Sequence, residues 1–181
     1  FAFNGFGDGQ SHNIYIGHAD TAIVRFSYFH HAIIGHELKS RARVNYISYN
    51  RFSNEATGNA SREIDLPSGG MSILIGNIIQ QGPNSDNGNM VGFGLEGLVN
   101  AAPHEIYLIN NTLVNERFAG SFLAAANGTG LLKVYNNIFA GPGTVISYGG
   151  SATAVDSLTN KLINDISQAG FIDPAAYNYR L

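Results

Sequence analysis

Stacking the short apolar stretches of this chain brings one residue type to one place. The stretches "YISYNRF" (46–52), "ILIGNII" (73–79), "YLINNTL" (107–113), "KVYNNIF" (133–139) and "SLTNKLI" (157–163) align Asn50, Asn77, Asn111, Asn137 and Asn160. "IVRFSYF" (23–29) fits the same frame with Ser27 in the asparagine place. Successive positions lie 23 to 34 residues apart, and each unit reads as strand, polar corner, strand. A repeat of that length is the mark of a solenoid, in which each unit buries its apolar face only against its neighbours. An asparagine side chain both donates and accepts. Stacked at a strand spacing of about 4.8 Å, asparagines can bond one another and the corner backbone. We therefore expect an asparagine ladder.

Composition agrees with an all-β chain of tight corners. There are 22 Gly and 20 Asn among 181 residues, and both tolerate left-handed turn conformations. The apolar runs are short and rich in Ile, Val, Phe and Tyr, as strands prefer. The length suits one domain with a sizeable core. A net charge of −3 and a pI near 6.0 argue against a nucleic-acid partner. No apolar run approaches the ~18 residues needed to cross a membrane. With no cysteine, disulfides and thiolate metal sites are excluded.

The N-x-[ILF] corners, together with the ending "GFIDPAAYNYRL" (170–181), resemble the right-handed parallel β-helix of the pectate-lyase-like superfamily. The resemblance implies one all-β domain over residues 1–181, a single parallel β-helix of six to seven coils. The ending is similar to the closing phrase of bacterial β-helix proteins of polysaccharide breakdown. That implies a secreted, periplasmic or cell-surface protein. No capping element is visible before "HNIYIG" (12–17), so the chain is expected to be the C-terminal part of a longer β-helix. An open coil end exposes strand edges and invites end-to-end self-association.

Charge is distributed unevenly. Only 13% of the residues are charged, yet six of the ten Lys and Arg lie between Arg25 and Arg62, and five of the six histidines lie at or before His36. Alternation along "HELKSRARV" (36–44) puts Leu38, Ser40, Ala42 and Val44 inward and Glu37, Lys39, Arg41 and Arg43 outward. One coil later "REIDLP" (62–67) puts Ile64 and Leu66 inward and Glu63 and Asp65 outward. Glu63 and Asp65 should lie one strand spacing from Glu37 and Lys39, with His12, Asn13 and Tyr15 in the coil before. An outer face of acids, bases and imidazoles results.

Such a face is either a solvated, mutually paired surface or a site for an acidic polysaccharide. β-Elimination of a uronate polymer needs a cation on the sugar carboxylate, a base for the adjacent carbon acid and a proton for the leaving oxygen. Lys39 beside Arg41 and Arg43 suits the base, because like charges lower a lysine pKa. Arg41 suits a bidentate carboxylate clamp. Arg43, Arg62, Tyr15 and the glycine-flanked Glu96 are candidate substrate contacts, and His31 or His36 a candidate proton donor. Glu37, Glu63 and Asp65 have the oxygen donors for calcium, and His12, His31 and His36 the imidazoles for a transition metal.

The run "HELKSRARVNYISYNRF" (36–52) resembles the alginate-lyase and chondroitinase-B family of β-helix lyases. The resemblance implies Lys39 as the Brønsted base, an assisting arginine from the next coil and acids that bind calcium. The sequence departs from that family where Arg-His-Gly is expected, having "DLPSGG" (65–70), so Arg41 or Arg62 would have to take the arginine's part. The polygalacturonase pattern fits less well, since there is no Asp-Asp pair. The competing expectations are a glycan-binding module without chemistry and a structural or adhesive β-helix that stacks end to end.

Overall fold

The computed structural model describes residues 1–150 and 154–181. Its strands come in six turns of three. The first turn holds β1 (Ile14–Ile16), β2 (Thr21–Arg25) and β3 (Tyr28–His30), and the second β4 (Leu38–Ser40), β5 (Val44–Ser48) and β6 (Arg51–Ser53). The third holds β7 (Ile64–Leu66), β8 (Met71–Ile75) and β9 (Ile78–Gln81), and the fourth β10 (Asn89–Phe93), β11 (Glu105–Ile109) and β12 (Thr112–Asn115). The fifth holds β13 (Ser121–Ala125), β14 (Leu131–Tyr135) and β15 (Ile138–Ala140), and the sixth β16 (Thr144–Tyr148), β17 (Ala154–Leu158) and β18 (Lys161–Ile163). Every strand pairs in parallel with its counterpart one turn away, giving three six-stranded sheets. The protein is a parallel β-solenoid.

Identical inward positions stack on one another through the register. Phe29, Phe52, Ile79, Leu113 and Phe139 form one column in the third sheet, with the Phe29 and Phe52 rings stacked at 5.0 Å. Leu38, Ile64, Val91 and Leu123 form another in the first sheet, all fully buried. Burying a Leu, Ile or Phe side chain contributes about 1.5–3 kcal/mol, and each column repeats that gain turn by turn.

The corner between the second and third sheets is where the aligned asparagines stand. The Nδ2 groups of Asn50, Asn77, Asn111 and Asn137 each donate to Oδ1 of the next rung at 2.9–3.1 Å, ending on Asn160. Each Nδ2 also donates to a carbonyl one turn back: Val24, Ile47, Leu74, Leu108 and, from Asn160, Val134. Each Oδ1 in turn takes the backbone N–H of the rung before it, beginning with Ser27 at 3.1 Å. The residue preceding each rung has left-handed backbone: Phe26, Tyr49, Gly76, Asn110, Asn136 and Thr159 share φ between 53° and 66°. Glycine and asparagine adopt this region readily, whereas Phe26, Tyr49 and the β-branched Thr159 carry its steric cost. Gly76 has a second reason to lack a side chain, since a Cβ there would lie 2.7 Å from the Tyr49 ring.

After β18 the chain folds back along the outer face of the third sheet. Phe171 and Tyr179 pack with Val114 and Ala140, and Tyr179 donates its hydroxyl hydrogen to Glu116 at 2.7 Å. The Tyr177 hydroxyl accepts from the Ala56 backbone N–H at 2.8 Å, so the closing segment ties the late turns to the second turn.

Replacing a mid-ladder asparagine strands several buried groups at once, each costing about 1–3 kcal/mol. Asn77→Ala should lower the unfolding free energy by roughly 3–5 kcal/mol. Asn160→Ala, at the part-exposed last rung, should cost about half as much by the same reasoning. Urea titrations of the two variants check the ranking, and equal midpoints would contradict the ladder's role.

Candidate functional site

The register places Tyr15, Lys39, Asp65, Gly92, Ala124 and Ser147 in one outward column of the first sheet. Its first half carries the charges singled out in the sequence, and its second half is small and neutral. Lys39 is 8% exposed and Asp65 1%, so this part of the face is covered.

The cover comes from the fourth turn. Residues 94–104 leave β10, cross the corner between the first and second sheets and reach back over two earlier turns. The Glu96 backbone N–H donates to Pro67 at 3.2 Å and the Asn100 backbone N–H to Ser68 at 3.0 Å. The Asn100 side chain donates to the carbonyls of Arg41, Ala42 and Gly69. The Leu98 side chain lies against Gly69 and Gly94, both in left-handed backbone, where a Cβ would meet it at 2.7 and 2.4 Å.

This loop brings the Glu96 carboxylate onto two cations. Lys39 Nζ donates to Glu96 Oε1 at 2.5 Å, and an Arg41 guanidinium nitrogen donates to Glu96 Oε2. Arg41 is held from its other side by the Tyr15 hydroxyl at 3.0 Å and by Ser68 Oγ at 3.2 Å. Behind Lys39 stands Asp65, with its Oδ2 3.4 Å from both Lys39 Nζ and His36 Nε2 and its Oδ1 3.5 Å from Arg62. Burial pushes the Glu96 carboxyl up, but hydrogen bonds and charge from Lys39 and Arg41 outweigh it and hold the group at about 2. At Asp65 burial wins over the longer contacts with Arg62 and Lys39, and its pKa is raised.

His12 and His36 lie one turn apart beside this column, with His36 against Asp65. The rings of His12 and His36 stack at 4.8 Å and 9°. Nδ1 of His12 accepts the His36 backbone N–H at 2.9 Å, and Nδ1 of His36 accepts the Arg62 backbone N–H at 3.2 Å. Both proton-bearing nitrogens are therefore Nε2, and in His36 that N–H faces Asp65. Burial, reinforced by neighbouring cations, lowers His12 to about 4 and His36 to about 3. A ring whose one lone pair already holds a backbone N–H has no free basic nitrogen, so His36 orients the strand corner and Asp65.

Several expectations require correction. Glu37 and Glu63 do not share the outer face with Lys39; both are fully buried at the corner between the third and first sheets. At the residue before each strand the backbone is still turning, so Glu37 and Leu38 both point inside and alternation starts one residue late. Glu37 accepts from Ala32 N–H at 3.0 Å and from the Asn13 amide, and Glu63 from Asn54 Nδ2 at 3.0 Å. The calcium set of Glu37, Glu63 and Asp65 is not assembled: the first two face amide donors, and Asp65 faces cations. Among the described residues no cluster of three or more His, Asp or Glu side chains is arranged to hold a metal ion. His31 stands apart from Lys39 as well. Its backbone is left-handed, and its ring contacts His30, Thr57 and Phe3. This separation breaks up the His12, His31 and His36 set. Arg43 turns to Asp20 at 2.9 Å, and Arg62 supports Asp65 from behind. Lys39, Arg41, Tyr15 and Glu96 do converge.

Missed in the sequence were Ser68 and Asn100, the two residues that fix Arg41 and the loop. The available signal was the repeat itself, since the longest interval, from Asn77 to Asn111, holds the loop that carries Asn100. Among the described residues no enclosed cavity forms over the face. Comparison with protein-family models, curated proteins and solved structures returns no match.

The buried acids give a pH test. Burial raises Glu37 to about 7, and burial together with Glu37 raises Glu63 well above 4.5. A carboxyl whose folded pKa is raised stabilises fully below its unfolded pKa, and the contribution is lost as pH rises through the folded value. His12 and His36, with lowered folded values, act oppositely and lose their contribution as pH falls below 6.5. Glu63→Gln isolates the acid. Its amide stands for the protonated carboxyl, and among the described residues Glu63 Oε2 has no hydrogen-bond partner for the new NH₂ to disturb. Relative to the parent, the variant should gain stability as pH rises above about 4.5, by up to ~1.4 kcal/mol per pH unit. Urea unfolding across that range checks it, and a pH-independent difference would contradict the assignment.

Proposed function

We propose that this β-solenoid recognises a carboxylated polysaccharide on the outer face of its first sheet, through Lys39 and Arg41. One observation carries the reading: a lysine and an arginine from one strand segment close on the two oxygens of a single carboxylate. Charge-assisted pairs of this kind are the usual means of holding a sugar acid. The exposed Tyr15 ring beside them offers an apolar surface to a sugar ring. The resemblance to pectate-lyase-like β-helices supports the same substrate class and an extracellular or periplasmic setting.

A second reading makes the face a lyase with Lys39 as base, in line with the resemblance of residues 36–52 to alginate-lyase-type enzymes. It is favoured by Arg41, which shares Glu96 with Lys39, and by Arg62, which shares Asp65 with it. The amine can take a proton only after giving up its donation to Glu96, because an ammonium has no lone pair. Binding is therefore the function that the geometry supports first.

Calorimetric titration with oligogalacturonate, using a neutral galactose oligomer as control, tests the reading. The acidic oligomer should bind and the neutral one should not. Lys39→Met and Arg41→Met should each weaken binding by about tenfold or more, the loss of one charge-assisted contact. Ultraviolet absorbance of an unsaturated uronate end, appearing with the parent and missing in Lys39→Met, would establish the lyase. Folded protein that binds no acidic glycan would leave a structural or adhesive β-helix.

A further inference from the structure

Glu96 is held differently from the rest of its cluster. Lys39, Asp65 and His36 are buried, whereas the Glu96 side chain is 44% exposed. Its backbone is fixed independently of its carboxylate by the N–H bond to Pro67, the Gly97 to Gly94 bond at 3.0 Å and the Asn100 side chain. Rotation about the side-chain bonds alone would carry the carboxylate into water. The two cations would stay where they are: Lys39 has Asp65 behind it, and Arg41 keeps the Tyr15 hydroxyl and Ser68.

We propose that Glu96 is a tethered stand-in for the ligand's carboxylate: an acidic sugar binds by replacing it between Lys39 and Arg41. This rests on the reading that the face binds carboxylated glycan. The exchange conserves charge-assisted hydrogen bonds, one carboxylate for another, and the displaced group reaches solvent without a desolvation cost. When Glu96 is gone Lys39 keeps Asp65, and Arg41 keeps Tyr15 and Ser68, so neither cation is left without a partner and Glu96→Gln is expected to fold. The tether makes Glu96 an intramolecular competitor whose effective concentration is of millimolar order or more. Only a ligand that brings its own anionic oxygens can compete, and a neutral sugar is excluded. Glu96 thus sets specificity as well as affinity.

The experiment is calorimetric titration of oligogalacturonate into the parent chain, Glu96→Gln and Asp20→Asn at one ionic strength. Asp20→Asn removes the same charge from an exposed pair with Arg43, and Asp20 touches neither Lys39 nor Arg41. Glu96→Gln should bind about tenfold tighter or better, since the competing closed state is gone. Asp20→Asn should stay within about twofold, as expected for a screened surface charge. In the parent, carbon NMR should find the Glu96 carboxyl titrating at about 2 when free and near the ordinary carboxylate range when ligand is bound. If the parent binds and Glu96→Gln binds equally or more weakly, the inference is overturned while the binding reading stands. An equal gain in Asp20→Asn also overturns it, by assigning the effect to net charge. If no variant binds the oligomer, both fail.

Discussion

Everything in this molecule depends on one recurring hydrogen-bond problem, the corner where the chain leaves the second sheet and enters the third. A tight corner frees backbone N–H and C=O groups inside a packed structure, and unpaired buried polar groups are costly. One asparagine in each turn after the first, where Ser27 stands in its place, answers for them. Its amide bonds the next rung and a carbonyl one turn back, and its oxygen takes two donors from the rung before. Because each rung is completed by its neighbour, the ladder sets vertical register as well as local geometry. A slip of one residue would point the column of Phe29, Phe52 and Phe139 to solvent.

Register is also what turns distant sequence into a site. Tyr15 and Lys39 become neighbours because each lies at the same offset in its turn, and Lys39 meets Asp65 for the same reason. The histidine stack obeys the rule too, with His12 and His36 one turn apart and each accepting the next turn's backbone N–H. Corner loops are free of this constraint. Residues 94–104 use that freedom to bring a carboxylate to Lys39 and Arg41 from more than fifty positions away.

The parts legible in the sequence are those that repeat. Asparagines at Asn50, Asn77, Asn111, Asn137 and Asn160 announced the turns because one side chain meets one need each time. Alternation placed Leu38, Lys39 and Ser40 properly because they lie inside a strand. It failed at Glu37 and Glu63, which sit where the backbone is still bending and two successive side chains point inward. The signal lay in the later turns, where the adjacent apolar pairs Met90–Val91 and Phe122–Leu123 fall in register with Glu63–Ile64 and are buried together. Glu96 was visible only as an acid between glycines. Its partners depended on how a loop drapes, which no periodicity encodes.

The first-sheet column supplies its own comparison for what the charges are doing. Tyr15, Lys39 and Asp65 continue into Gly92, Ala124 and Ser147, and the later turns stack in the same register with small neutral residues. The fold therefore does not require ions at this position. Taking charged groups out of water carries a desolvation penalty that their mutual attraction repays only in part, and well-packed neutral replacements are often as stable. Lys39 and Asp65 at 8% and 1% exposure pay that penalty in full view of an easier local solution. A cluster that stability does not call for, built around a half-exposed carboxylate, is what a site for an exchangeable anion needs. Buried groups fix the cations, and the outermost member is free to leave.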